Sequence, residues 1–198
     1  REFLGACLSL DRPAAPSPPL GDKASPARYG GALAEIERRL KEDSRVRDVT
    51  FSLTSPGREL FDVLEAEGPV EGTKRGTLVR FNRVTPNFFS AFDVPVSIGR
   101  DLTAADASAH PAGVTPGVLA SRALVDQVFS GANPLARRIK YVSAAPSGKV
   151  VPERWYEIVG VVPDFPVPGS FDDESEGRVY HAVAAGDLYP PRLHVRVR

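Results

Sequence analysis

Three blocks, in fixed order, constrain this chain more than anything else in it. They are VTPNFFSAFDVPVSIGRDLTAAD (residues 84–106), GVLASRALVDQVFSGANPLARRIKY (residues 117–141) and YEIVGVVPDF (residues 156–165). In the first, Thr85-Pro86 reads as a helix cap followed by proline at the first helical position, with Phe88, Phe89 and Phe92 behind it as core anchors. The block closes on a Gly99-Arg100 turn, where Gly99 takes a backbone conformation closed to other residues. The second is a short strand, then a helix capped by Ser121 and stopped by Gly131. Its buried face is Leu124, Val125, Val128 and Phe129, and a strand from Ile139 follows. The third is a buried strand whose Gly160 marks a bulge or a close backbone approach. No block places a nucleophile, a base or a metal-ligand set.

The remaining segments read in the same way. Residues 3–10 form an apolar strand expected to be buried on both faces. A Pro, Ala and Ser-rich loop leads to a helix opened by Ser25-Pro26, whose stripe is Tyr29, Leu33, Ile36 and Leu40. Glu35–Arg39 and Glu37–Lys41 are favourable pairs on its wet side. Alternation at Val49, Phe51 and Leu53 gives the next strand, so strand, helix and strand predict a βαβ unit. Further strands are expected at residues 60–67, 77–84, 139–142, 157–162, 178–183 and 193–198. Residues 103–116 and 163–177 read as loops. The fold class is α+β, with three helices and nine or ten strands.

Composition narrows the function classes. Hydrophobic residues at 42% and charged residues at 25% fit a folded domain rather than a disordered chain. Lys plus Arg and Asp plus Glu both number 25, and a neutral chain of this kind argues against a nucleic-acid partner. The cluster Arg137, Arg138 and Lys140 reads as an exposed strand edge. Cys7 is the only cysteine, so no disulfide forms within the chain. No apolar run is long enough to span a membrane. The chain begins at Arg1, contains no Met and ends within a strand pattern, as expected of a segment excised from a longer protein.

No catalytic constellation stands out in the sequence. His110, His181 and His194 lack ligand spacing and are expected to be structural, although His181 and His194 sit in strands that can meet. The acidic run Asp172, Asp173, Glu174 and Glu176 lacks the alternation of a calcium loop. Asp101 is a local partner for Arg100. Ser121 is explained by capping, and Cys7 by inert packing in an apolar strand. No cofactor and no metal site is expected.

Together the three blocks resemble the MacB-like periplasmic core domain of ABC transporter permeases, in the wider family that includes FtsX-like permeases. The family pattern runs from V-x-P-x-Y/F-F to G-R, then F-x-G, P-x-G-K/R-R-I and I-V-G-V-V-x-D. This chain supplies Val84, Pro86, Phe88, Phe89, Gly99, Arg100, Phe129, Gly131, Pro134, Arg137, Arg138, Ile139, Ile158, Val159, Gly160, Val161, Val162 and Asp164. It departs at Ala136, where the family often has glycine, and at Pro95. The opening, LSLDRP with a helix and then RVRDVTFSL, is similar to the second extracytoplasmic segment of duplicated acidobacterial-type permeases.

The resemblance implies a non-catalytic domain on the extracytoplasmic face of the bacterial cytoplasmic membrane. It implies two lobes. A porter-like lobe comes from the chain's two ends (residues 1–83 and 174–198), and a mixed, Sabre-like lobe is inserted from the middle (residues 84–173). The implied partners are the protein's own transmembrane helices and a cytoplasmic ATPase, with a second permease copy or domain and a periplasmic protein as further partners. ATP would be hydrolysed on that separate subunit or domain, and this piece would pass on the motion and contact cargo. Two other readings stand beside it: a secreted hydrolase-like enzyme with a site assembled from distant residues, and a free-standing extracellular interaction domain.

Overall fold

The computed structural model describes residues 3–8, 25–68, 76–108, 114–142, 154–164 and 176–198. Within them the order is β1 (Phe3–Cys7), α1 (Ser25–Glu42), β2 (Val46–Ser52), β3 (Leu60–Ala66), β4 (Thr77–Val84), α2 (Phe88–Ala91), β5 (Ile98–Gly99), α3 (Ala104–Ala107), β6 (Gly117–Ser121), α4 (Arg122–Phe129), β7 (Arg138–Tyr141), β8 (Trp155–Val162), β9 (Arg178–Ala182) and β10 (Arg192–Val197).

The chain's two end strands lie side by side. β1 pairs antiparallel with β10, Phe3 opposite Arg196 and Cys7 opposite Arg192. β10 in turn pairs with β2. β1 and β2 are therefore parallel but separated by β10, so the expected βαβ unit is a split one. Leu33, Ile36 and Leu40 of α1 pack on Val49, Phe51, Leu193, Val195 and Leu188. The Tyr29 side chain lies outside the described ones. Both expected helix pairs form, Glu35 with Arg39 at 2.6 Å and Glu37 with Lys41 at 2.7 Å. β1 itself is not buried on either face: all five residues are exposed, Cys7 included. Position explains the difference, because among the described residues β1 pairs with β10 alone and is an edge strand.

Six strands close into a ring. β4 pairs with β3, β3 with β7, β7 with β8, β8 with β6, β6 with β9, and β9 returns to β4. Alternation sends Leu64, Val79, Val118, Ala120, Ile139, Ile158, Val161 and Val179 inward. α4 adds Leu124, Val125, Val128 and Phe129 to the same cluster and closes the end of the ring where β6 finishes. On the outer face Leu119, Val162, Tyr180 and Ala182 meet Phe88, Phe89 and Leu102 in a second core. The end-strand sheet touches the ring through one register pair, Ser52 opposite Val84. β3, β4 and β9 hydrogen-bond into the ring with β6, β7 and β8.

Two local expectations change. Residues 104–107, read as loop, form the single turn α3 because the Asp106 carboxylate accepts from the Thr103 N–H at 2.8 Å and the Thr103 hydroxyl at 2.7 Å. Thr85 does not cap α2, for which Asn87 is the N-cap. Its hydroxyl instead lies 2.8 Å from the Thr50 hydroxyl and accepts from the Phe51 N–H at 3.1 Å, which ties the start of α2 to β2.

Candidate functional site

The residues singled out from the sequence do not converge on one pocket. They form three structural groups and one joint. The first group is the corner at Gly99, Arg100 and Gly160. Gly99 has φ +80°, and a Cβ there would lie 2.3 Å from the Val159 carbonyl oxygen. Gly160 is its register partner, and a Cβ on it would lie 2.3 Å from the Arg100 carbonyl oxygen. The bulge expected at Gly160 is present, because Val118 pairs with Ile158 but Leu119 pairs with Gly160. Val159 is the extra residue, and it restores the alternation so that Val161 points into the ring.

The expected partner of Arg100 was Asp101. The guanidinium instead grips Asp106 through two bonds, 2.7 and 2.9 Å, and only the Asp101 carbonyl accepts from it. The Asp101 carboxylate turns to the Leu102 N–H, which leaves Asp106 to receive the fork. This grip, helped by the Thr103 donors against the cost of burial, lowers the Asp106 carboxyl to about 2. Gly117 makes the room, since a Cβ on it would sit 2.4 Å from Asp106 Oδ1. Asp106 and Gly117 were missed as a site; Asp106, three residues after Thr103, was the signal available.

The second group surrounds α4. Ser121 Oγ accepts from the Leu124 N–H at 3.2 Å, as capping predicts, and also from the Arg178 N–H at 3.0 Å. Asp164 adds a second cap, its Oδ1 accepting from the Ala123 N–H at 2.9 Å. At the other end Ser130 and Gly131 take φ of 51° and 75°. The third group is the turn into β7. Pro134 is buried, Ile139 fills the ring interior, and Arg138 makes an exposed pair with Glu67 at 2.7 Å. Ala136 holds φ 62°, the left-handed region where the resemblance expected glycine.

Pro86, Phe88 and Phe89 lie at the joint between the ring and the end-strand sheet. Phe88 and Phe89 are fully buried, while Pro86 is half-buried. The Phe88 and Phe92 rings meet His194 of β10 at 6.0 and 5.5 Å. His194 Nε2 hydrogen-bonds Ser52 Oγ at 2.7 Å. Asn87 donates to the Val49 carbonyl at 2.8 Å, and Arg196 pairs with Asp93. The two strand histidines do not meet: Nε2 of His181 bonds the Tyr141 hydroxyl inside the ring at 2.7 Å. His110, Asp172, Asp173 and Glu174 lie outside the described residues, and Glu176 pairs with Arg80.

Among the described residues no group of three or more His, Cys, Asp or Glu side chains is placed to hold a metal ion. No described helix is long and apolar enough to cross a membrane. What the geometry builds is a closed ring, a small sheet carrying both described ends of the chain, and a packed joint between them.

A family model described as the MacB-like periplasmic core domain matches residues 14–194, and the chain belongs to that family. No curated protein matches the chain. Several solved structures share the fold, three of them as follows. One is the periplasmic region of MacB from Actinobacillus actinomycetemcomitans, at 16% identity and a TM-score of 0.53, covering 83% of this chain and 64% of that one. The chain thus spans just under two thirds of that region. A domain of a permease protein from Porphyromonas gingivalis has 16% identity and a TM-score of 0.52, with 82% and 67% covered. The extracellular domain of the noncanonic ABC-type transporter YknZ from Gram-positive bacteria has 14% identity and a TM-score of 0.51, with 83% and 72% covered.

Proposed function

We propose that this chain is the part of an ABC transporter permease that carries ATP-driven conformational change to cargo or a partner protein outside the membrane. One observation carries the reading: β1 and β10 are direct neighbours, with Phe3 opposite Arg196. Two adjacent strands at the ends of the domain suit attachment to two adjacent membrane helices. Movement of those helices would then reach β1, β10 and β2 first. In this reading the end-strand sheet with α1 is the porter-like unit. The ring is the inserted unit, and it takes β3, β4 and β9 along with the middle of the chain. The joint at Ser52–Val84, Thr85, Asn87 and His194 is where motion passes between them. ATP is hydrolysed on a separate cytoplasmic ATPase.

The test uses the full-length permease with its ATPase in lipid. With Cys7→Ser as background, spin labels at Arg45→Cys and Arg137→Cys report the distance between sheet and ring. The expected outcome is a distance distribution that shifts when the ATPase is trapped with nucleotide. Identical distributions in the nucleotide-free and trapped states would reject transmission through this joint.

A further inference from the structure

The two ends of the ring differ in chemistry. One is filled by the apolar face of α4. The other, where β4 and β9 finish and β8 begins, is aromatic. Phe81, Tyr141, Tyr156 and His181 are half-buried there, with centroids 5.6 Å apart for Phe81–Tyr141, 5.9 Å for Tyr141–Tyr156 and 4.6 Å for Tyr156–His181. The Tyr141 hydroxyl and His181 Nε2 satisfy each other at 2.7 Å. Two cations border these rings. Arg83 follows Phe81 by two residues and is the register partner of His181. Arg154 precedes Tyr156 by two, with its guanidinium carbon 5.9 Å from that ring's centroid. Strand alternation therefore puts both arginines on the face that lines the ring. Both are exposed, and neither has a carboxylate partner among the described residues.

We propose that this end of the ring binds a small organic monoanion carrying an aromatic group, its charge held by Arg83 and Arg154 and its ring laid against Tyr156 and Tyr141. Guanidinium donors take a carboxylate or sulfonate in fork geometry, and the aromatic faces supply an apolar bed. The hydroxyl and imidazole already bonded to each other do not compete for the anion. Both arginines act at this spot, since after burial their fields help to lower the His181 imidazole. Asp62, whose Oδ1 accepts from the Val63 N–H, faces the same end and acts electrostatically on Tyr141. Its negative charge selects a monoanion over a dianion. This site does not depend on the transport reading.

Calorimetric titration of the 198-residue chain with 2-naphthoate, 2-naphthamide and 2,6-naphthalenedicarboxylate tests the assignment. Saturable binding of one 2-naphthoate is expected, with the neutral amide and the dianion each at least about tenfold weaker. The double variant R83Q/R154Q should lose about tenfold or more for 2-naphthoate, while the exposed control Arg122→Gln should not. Asp62→Asn should bring the dianion closer to the monoanion. Absence of saturation up to about 5 mM, or R83Q/R154Q binding as the unsubstituted chain does, would overturn the proposal. Equal affinity for the amide and the carboxylate would do the same.

Discussion

Gly99 and Gly160 face each other across the β5–β8 pair, and neither has room for a Cβ. At each position the first obstacle is a backbone oxygen 2.3 Å away, which cannot rotate aside as a side chain can. Gly99 also carries φ +80°. The pair thus lets the 98–100 segment lie against the bulge of β8, and it places Arg100 within reach of Asp106.

Gly99→Val should therefore destabilise the domain by about 3 kcal/mol or more, from left-handed strain and backbone overlap together. Gly160→Ala should cost a comparable amount. Arg100→Ala should cost less, about 1–2 kcal/mol, because Arg100 is half-exposed and the Thr103 donors still hold Asp106. Urea midpoints of the three variants provide the check. If Arg100→Ala proves the worst of them, the corner depends on its ion pair and not on glycine geometry.

Ala136 makes the opposite prediction. It holds φ 62°, with its N–H donating to the Ile158 carbonyl at 3.0 Å, so the turn is fixed by β8 despite the Cβ. Ala136→Gly removes that strain and gives back part of it as chain entropy. A net gain of about 0.5–1 kcal/mol is expected. Thermal unfolding should move upward; a downward shift would mean that entropy outweighs strain at this turn.

Acid should weaken the fold in two stages. Burial lowers His194 to about 4, with Arg192 adding to it, and lowers His181 to about 3. Both are neutral when folded, whereas an unfolded histidine titrates near 6.5. Below 6.5 the unfolded chain binds more protons, so this stability is complete above 6.5 and is lost as pH falls through the folded values. Each histidine contributes a slope of up to about 1.4 kcal/mol per pH unit in that window. Asp106 adds stability that is present above 3.8 and lost toward 2. His194→Gln should flatten the loss between about pH 6.5 and 4, measured as urea midpoints across that range. If it loses stability in parallel with the unsubstituted chain, His194 is not held neutral by the joint.

Features determined within about ten residues were legible in the sequence. Ser121 and Gly131 bound α4 because a hydroxyl reaches the first turn and a left-handed residue ends the last. Gly160 announced its bulge, and Gly99 its turn. Alternation located most strands and the faces they bury. It did not say against what. Closure of β4, β3, β7, β8, β6 and β9 into a ring rests on pairings between distant segments, which period-2 patterning leaves open. The same ambiguity hid the exposure of β1, since an apolar strand reads alike at an edge and at a centre. Phe3–Cys7 is exposed because tertiary structure puts β10 on one side of it and no described strand on the other. Arg100 shows the limit at a single residue: its neighbour Asp101 was the local choice, but the turn sends that carboxylate to the Leu102 N–H. The close approach of β8 at Gly160 and the open space at Gly117 then bring Asp106 to the guanidinium.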